Sequence, residues 1–315
     1  MRGSTSPITV LMPVRNGSLT LEVGVRDLLA GMEPDDEMLI VDDGSEDQTP
    51  NVIDRLARDD SRVRTVSTRG LGLVKALNLG LREATHDWIA RADADDRYPV
   101  ERLTLQRRML GPKVAMVTGD YSIVADGRPS GLIPSALGDA SVKLSLVNPQ
   151  RIPHPGVVLS RAAVQASGGY RAEDFPAEDL GLWERLRGQG SFLGVPGTVV
   201  SWHMNARSVS HSRQAQQREM TQRIVGRIRS STIAPTEGDI RIELAHYADS
   251  PEGTARALLL ARDLARAGQF GLGSAGARIV MAWLAARPLE AIGASSRLLR
   301  DQRQRAAFRR GSTED

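Results

Sequence analysis

The sequence contains no cysteine. Disulfides, thiolate metal sites and cysteine nucleophiles are therefore excluded. Histidine is scarce too. The five are His86, His154, His203, His211 and His246, and no two stand four apart as on a helical zinc site. A metal held by this chain must rest mainly on carboxylates, which favours Mg²⁺ or Mn²⁺. Aromatic residues make up 4% of the chain and are not interleaved with the basic ones. That leaves no stacking platform for nucleic acid. No apolar run reaches the roughly 18 residues needed to span a bilayer. The first apolar stretch, after Pro7, is too short for a signal peptide and reads as a strand. These absences predict a cytoplasmic protein.

What is present is globular in character: 315 residues, 41% hydrophobic and 25% charged. Lys75, Lys113 and Lys143 are the only lysines among 41 basic residues. Charge is unevenly placed. Residues 212–315 hold 17 Arg and 11 acids, a net of +6, within a chain whose net is +3. The split predicts two parts, residues 1–211 and a basic helical extension over 212–315. It also predicts an acidic partner surface such as anionic lipid.

The first 125 residues alternate short β-rich runs with helical patterns. Strands are predicted at "ITVLMPV" (8–14), "EMLIVDD" (37–43), "VRTVS" (63–67), "DWIARAD" (87–93) and "AMVTGDYSIV" (115–124). Helices are predicted over 19–31, 50–58, the run carrying Leu73, Leu77, Leu81 and Ala84, and 98–110. Such alternation implies a mostly parallel α/β sheet flanked by helices. Residues 126–156 read as irregular, and 175–190 as a helix burying Leu180, Trp183 and Leu186. Further on, 251–268 and 277–299 read as amphipathic helices, the second interrupted by Pro288.

In open α/β sheets ligands collect beyond the carboxyl ends of the strands. Three polar clusters fall there: "PVRNGS", "DDGSEDQ" and "DADD". One Asp at a strand end is usually a turn residue or helix cap. Several converging carboxylates raise one another's pKa unless a cation lies between them. The usual Mg²⁺ arrangement is one or two carboxylates plus substrate phosphates. Asp93, Asp95 and Asp96 therefore suggest a metal bridging protein to a diphosphate. Asp42 and Asp43 could accept hydrogen bonds from a base or ribose. Glu178 and Asp179 open a predicted helix, where a helix-dipole role and a general-base role are both open.

Taken in order, "ITVLMPVRNG", "LIVDDGSEDQT", "GLGLVKALNLGL", "WIARADADDRYPVERL" and "GGYRAEDFPAEDLGLWERL" resemble the motifs of family 2 glycosyltransferases of the bacterial cell-surface polysaccharide type. The resemblance spans residues 8–211 and implies the GT-A fold. It implies transfer of a sugar, with inversion, from a nucleotide diphosphate donor to a carbohydrate or lipid-linked acceptor hydroxyl. By resemblance, Pro13, Val14 and Arg15 lie along the base and Asp43 bonds it, with Asp42 beside it. Asp93 meets the ribose, Asp95 binds Mn²⁺ or Mg²⁺, and Asp179 is the catalytic base with Glu178 beside it. Asp96 is expected to cap the helix that Pro99 begins. His154 resembles a position lining the donor-sugar pocket, and Lys75 could approach the donor phosphates.

Two positions depart from the family pattern. Arg15 stands where an aromatic residue usually stacks on the base, although a guanidinium plane can also stack. In "SWHMNARSVS" the usual His position holds Asn205, and His203 is expected to take over a metal or diphosphate role. A lipid-linked acceptor would suit a basic extension lying peripherally at the inner face of the plasma membrane. Alternative readings are a sugar-nucleotide nucleotidyltransferase and a non-catalytic nucleotide-sugar binding protein. A glycosidase also uses two carboxylates, but would not need "VDDGS" or the D-x-D.

Overall fold

The computed structural model describes residues 6–125, 127–148, 151–204, 214–231, 236–248, 252–266 and 275–286. Asn205, Pro288 and the rest of the predicted 277–299 helix beyond Ala286 lie outside them.

Five strands follow the expected places: β1 (Ile8–Val14), β2 (Glu37–Asp42), β3 (Val63–Ser67), β4 (Trp88–Arg91) and β5 (Val114–Ala125). Then come β6 (Arg128–Ile133), β7 (Val158–Ser160) and β8 (Ser191–Met204). The sheet runs β3-β2-β1-β4-β7-β5-β6, with β8 also paired to β5. The β3–β2–β1–β4 half and the β5–β8 pair are parallel. β7 runs antiparallel between β4 and β5.

Strand side chains alternate between faces, and β1 shows why its run is almost wholly apolar. Val10 and Met12 enter one core, Leu11 the other. The first core is closed by α1 (Leu21–Gly31), α2 (Thr49–Asp59) and α4 (Arg102–Arg107). The opposite core is closed by α3 (Leu73–Glu83), α6 (Arg161–Ala166), α7 (Glu178–Leu186) and α8 (Gln214–Ser231). On α7, Leu180, Trp183 and Leu186 are buried as their spacing predicts. Each such side chain contributes about 1.5–3 kcal/mol.

Two expectations are corrected. The helix predicted over 98–110 shrinks to α4, because the Tyr98 hydroxyl turns back to the Asp93 carbonyl at 2.8 Å. That bond draws Tyr98 and Pro99 out of the helix. Residues 126–156, read as irregular, contain β6 and α5 (Asp139–Ser145). β6 pairs with β5 as a hairpin whose turn includes Gly127 at φ 71°. Pro129 and Gly131 hid the strand in the sequence, and an edge position tolerates both.

The basic extension adds α9 (Glu237–Ala248), α10 (Gly253–Arg266) and α11 (Ala275–Ala285). They form a third core that takes in Leu137 and Leu144 from α5 and its approach. Ala257, Leu260 and Leu264 of α10 are buried there, so the apolar face of this amphipathic helix is a packing face. Buried polar contacts fasten it. Arg256 bonds both oxygens of Asp120, at 2.9 and 2.7 Å. Glu243 accepts the N–H groups of Leu137 and Gly138 at 2.8 and 2.7 Å. The chain passes very close here. A Cβ at Gly194 would stand 1.9 Å from the Ala136 carbonyl oxygen. That backbone atom cannot yield, so only glycine fits.

Candidate active site

β1, β2 and β4 are neighbours, so their carboxyl ends bring the three predicted clusters to one edge. Pro13 and Val14 close β1 against Val41 and Asp42. The following turn is tied down by its neighbours. The N–H groups of Asn16 and Gly17 donate to Ser45 Oγ and Thr49 Oγ1, each at 2.9 Å, and that of Ser18 to Asp47 Oδ2 at 3.3 Å. Arg15 is half exposed, 3.5 Å from Glu46, with its guanidinium beside Gly70.

Asp42 and Asp43 are both buried. Asp42 Oδ1 accepts the Ser45 N–H at 3.0 Å, closing the "DDGS" turn. The Asp43 carboxylate accepts the Thr68 hydroxyl and the N–H groups of Leu71 and Gly72, the latter two at 2.8 Å. Asp43 thus holds the 68–72 loop over the site edge and seats the start of α3. Lys75 is exposed on the first turn of that helix.

Asp93, Asp95 and Asp96 each place a carboxylate oxygen within 4.8 Å of the others. Asp96 is not a helix cap, contrary to expectation: α4 starts at Arg102, and Asp96 Oδ1 accepts the His203 N–H at 2.8 Å. Its second oxygen is buried and has no hydrogen-bond partner. Burial, and then Asp93, push its pKa well above the usual carboxylate range. An orphaned buried oxygen among crowded acids is what a divalent ion would satisfy, so the residues present fit one. His203 meets the cluster through its backbone; its ring is outside the group of ligand atoms. Burial, and then Arg97, lower the pKa of that ring.

Glu178 and Asp179 form the first turn of α7. Asp179 Oδ1 accepts the Leu180 N–H at 2.7 Å. Burial, and then Asp179, push the Glu178 carboxyl up to about 7. Burial also raises Asp179, while its bond to Leu180 and the charge of Arg91 oppose the rise. Asp93 pushes both acids upward. The pair and the aspartate trio therefore share one electrostatic site.

Between them lie residues that sequence reasoning missed. Arg91, the last residue of β4, is buried and paired with Asp93. Burial alone would lower its pKa, but Asp93 more than offsets it, and the net shift is upward. Tyr170 donates to or accepts from His154 Nε2 at 2.8 Å. The His154 ring also meets Trp183 edge-on, 5.8 Å between centroids. Burial, and then Arg91, hold His154 well below its ordinary pKa, hence neutral. Asn78 fixes Tyr170 by bonding its backbone C=O at 2.8 Å and its N–H at 3.0 Å. The available signals were a lone Arg alternating into a buried strand end and an Asn inside the apolar face of "KALNLGL".

A parallel half-sheet with an antiparallel wing, and an aspartate cluster at its carboxyl edge, defines the GT-A glycosyltransferases. A mannosyltransferase from Pyrobaculum calidifontis, solved with GDP-Man and Mn2+, has this fold. It superposes with a TM-score of 0.56 at 19% identity, over 93% of this chain and 84% of its own. Residues 9–129 match Glycosyl transferase family 2. An uncharacterized glycosyltransferase of Haemophilus influenzae is 32% identical over 117 residues, 36% of this chain and 47% of its own. The Escherichia coli UDP-Gal:alpha-D-GlcNAc-diphosphoundecaprenol beta-1,3-galactosyltransferase is 25% identical over 201 residues, 60% of this chain and 71% of its own. The chain thus spans about half the length of the first relative and more of the second.

Proposed function

We propose that the chain moves a sugar, with inversion, from a nucleotide diphosphate donor to a hydroxyl of a carbohydrate or lipid-linked acceptor in cell-surface glycan synthesis. The observation that carries this reading is the meeting of two acid sets at one sheet edge. Asp93, Asp95 and Asp96 would hold Mn²⁺ or Mg²⁺, which stabilises the charge gained by the departing diphosphate as a Lewis acid. The pair at α7 is near enough for the charge of Asp93 to act on it, with Asp179 as general base.

The residues divide the work as follows. Pro13, Val14, Arg15 and Asp42 line the nucleotide. Asp43 keeps the 68–72 loop in place beside it. Lys75 on α3 stands near enough to that loop to approach the donor phosphates. Asp93 meets the ribose as well as the ion. His154, neutral and fixed by Tyr170, presents a polar edge to the donor sugar without adding charge. Asp179 accepts the proton of the attacking hydroxyl while Glu178 shares its helix turn. Attack from the face opposite the leaving group needs no covalent enzyme intermediate. His203 enters through its N–H, which orients Asp96.

A nucleotidyltransferase would need amides after β1 free to cradle phosphate. Those of Asn16, Gly17 and Ser18 are already bonded to side chains, which disfavours that alternative. Binding of UDP, GDP or dTDP by calorimetry tests the donor site. Affinity is expected to rise at least tenfold with Mn²⁺ or Mg²⁺, and Asp95→Ala to remove the increment. Equal affinity in the presence of a chelator would refute the metal assignment.

Peripheral contact with anionic lipid at the inner face of the plasma membrane belongs to the same reading. No helix among the described residues is long and apolar enough to cross a membrane. The net +6 over 212–315 supports surface attraction. Full-length protein should sediment with phosphatidylserine vesicles and lose that at high salt. A chain ending at 286 should sediment less, and equal sedimentation would discard the lipid contact.

A further inference from the structure

Two acid sets act on one another here: Asp93, Asp95 and Asp96 on the β4 side, and Glu178 and Asp179 on α7, both pushed upward by Asp93. Packed together without a cation, they would repel one another. Arg91 is the group whose charge reaches across them. It opposes the upward shifts of Asp96, Glu178 and Asp179 alike. Arg102 is also buried nearby, but its guanidinium is turned to Gln106 Oε1 at 3.2 Å and to the Tyr98 ring at 4.9 Å.

Arg91 cannot move away. Its N–H donates to the Val157 carbonyl at 2.9 Å. Its C=O accepts from Arg102 Nη2 at 2.7 Å. Its side chain is 4% exposed and forms an ion pair with Asp93 Oδ1. Nη1 is the atom set against Asp93 Oδ1, while Nε has no hydrogen-bond partner. A buried, fixed guanidinium whose Nε is still unpartnered, set against a carboxylate of the metal cluster, does more than a structural ion pair requires.

We propose that Arg91 is a positioning residue that serves as the resident counter-cation of the site: it holds the Asp93 carboxylate before a divalent ion arrives and competes with that ion for it. The proposal rests on the reading of Asp93, Asp95 and Asp96 as the metal cluster. Its consequence is that Arg91 sets the metal affinity low enough for the ion to bind tightly only when a diphosphate supplies further ligands. A guanidinium that merely filled space would have no such effect.

The test is Mn²⁺ binding to the full chain without nucleotide, by calorimetry and by the Mn²⁺ electron paramagnetic resonance signal. Arg91→Met should bind Mn²⁺ at least tenfold more tightly than wild type, and Mn²⁺ should raise its Tm by more. Arg91→Lys keeps the charge and should restore the weaker binding. Unchanged or weaker binding by Arg91→Met overturns the proposal. If Arg91→Met fails to fold alone, refolding in Mn²⁺ should recover it, and failure to recover counts against the idea. Wild type that binds no Mn²⁺ even with a nucleoside diphosphate would instead defeat the metal reading itself.

Discussion

Asp179→Asn is expected to lower kcat by about 10²- to 10⁴-fold, the usual worth of one general base, while donor affinity stays within about twofold. The amide keeps the size of the side chain and can still accept the Leu180 N–H, so α7 should start as before. What it loses is the capacity to take the acceptor proton. Glu178 gives the companion measurement. Its carboxyl is pushed up to about 7 by burial and by Asp179. Raised pKa means the ionised form appears only as pH climbs through that value. Ionised Glu178 makes its neighbour a stronger base, so kcat/KM should rise with pH through about 7. Glu178→Gln should remove that limb and retain turnover. If the two variants exchange outcomes, Glu178 is the base.

Arg256→Ala should lower unfolding free energy by about 3–5 kcal/mol, the range for breaking a buried ion pair by removing one partner. Asp120 is 2% exposed and would keep only the N–H groups of Ser135 and Gly197, at 2.7 and 3.2 Å. Urea unfolding measures the loss, and a change under about 1 kcal/mol would show that water reaches Asp120 instead. Truncation after residue 212 is a harsher form of the same experiment. It removes Arg256, Glu243 and Asp263 together, and the last of these pairs with buried Arg151 at 3.4 Å. The shortened chain should come out insoluble, so the extension acts as a folding partner of the residues before it.

The elements of residues 8–67 could be read from pattern alone because their periods are unambiguous. β1 and β2 are buried on both faces and mostly apolar, as strands covered on both sides are. α3 repeats its buried face at helical spacing. The gathering of acids at one sheet edge was legible because several carboxylates end neighbouring strands. Their division of labour was less so. Asp96 looked like a cap because it stands before Pro99; in three dimensions it faces the β8 backbone, which arrives from residue 203. β6 stayed hidden because an edge strand needs no strict alternation.

The order of motifs along the chain, by itself, determined the class of fold and the sheet edge where the polar clusters gather. These depend on local periodicity and on which residue types end each strand. Only the tertiary structure decided that Arg91 lies among five acids, that His203 offers its backbone to Asp96, and that the basic extension is bolted to Asp120. Each of these is a contact between a buried charge or an amide and a partner chosen by folding. A charge has no period, so its partner is set by what else is desolvated beside it.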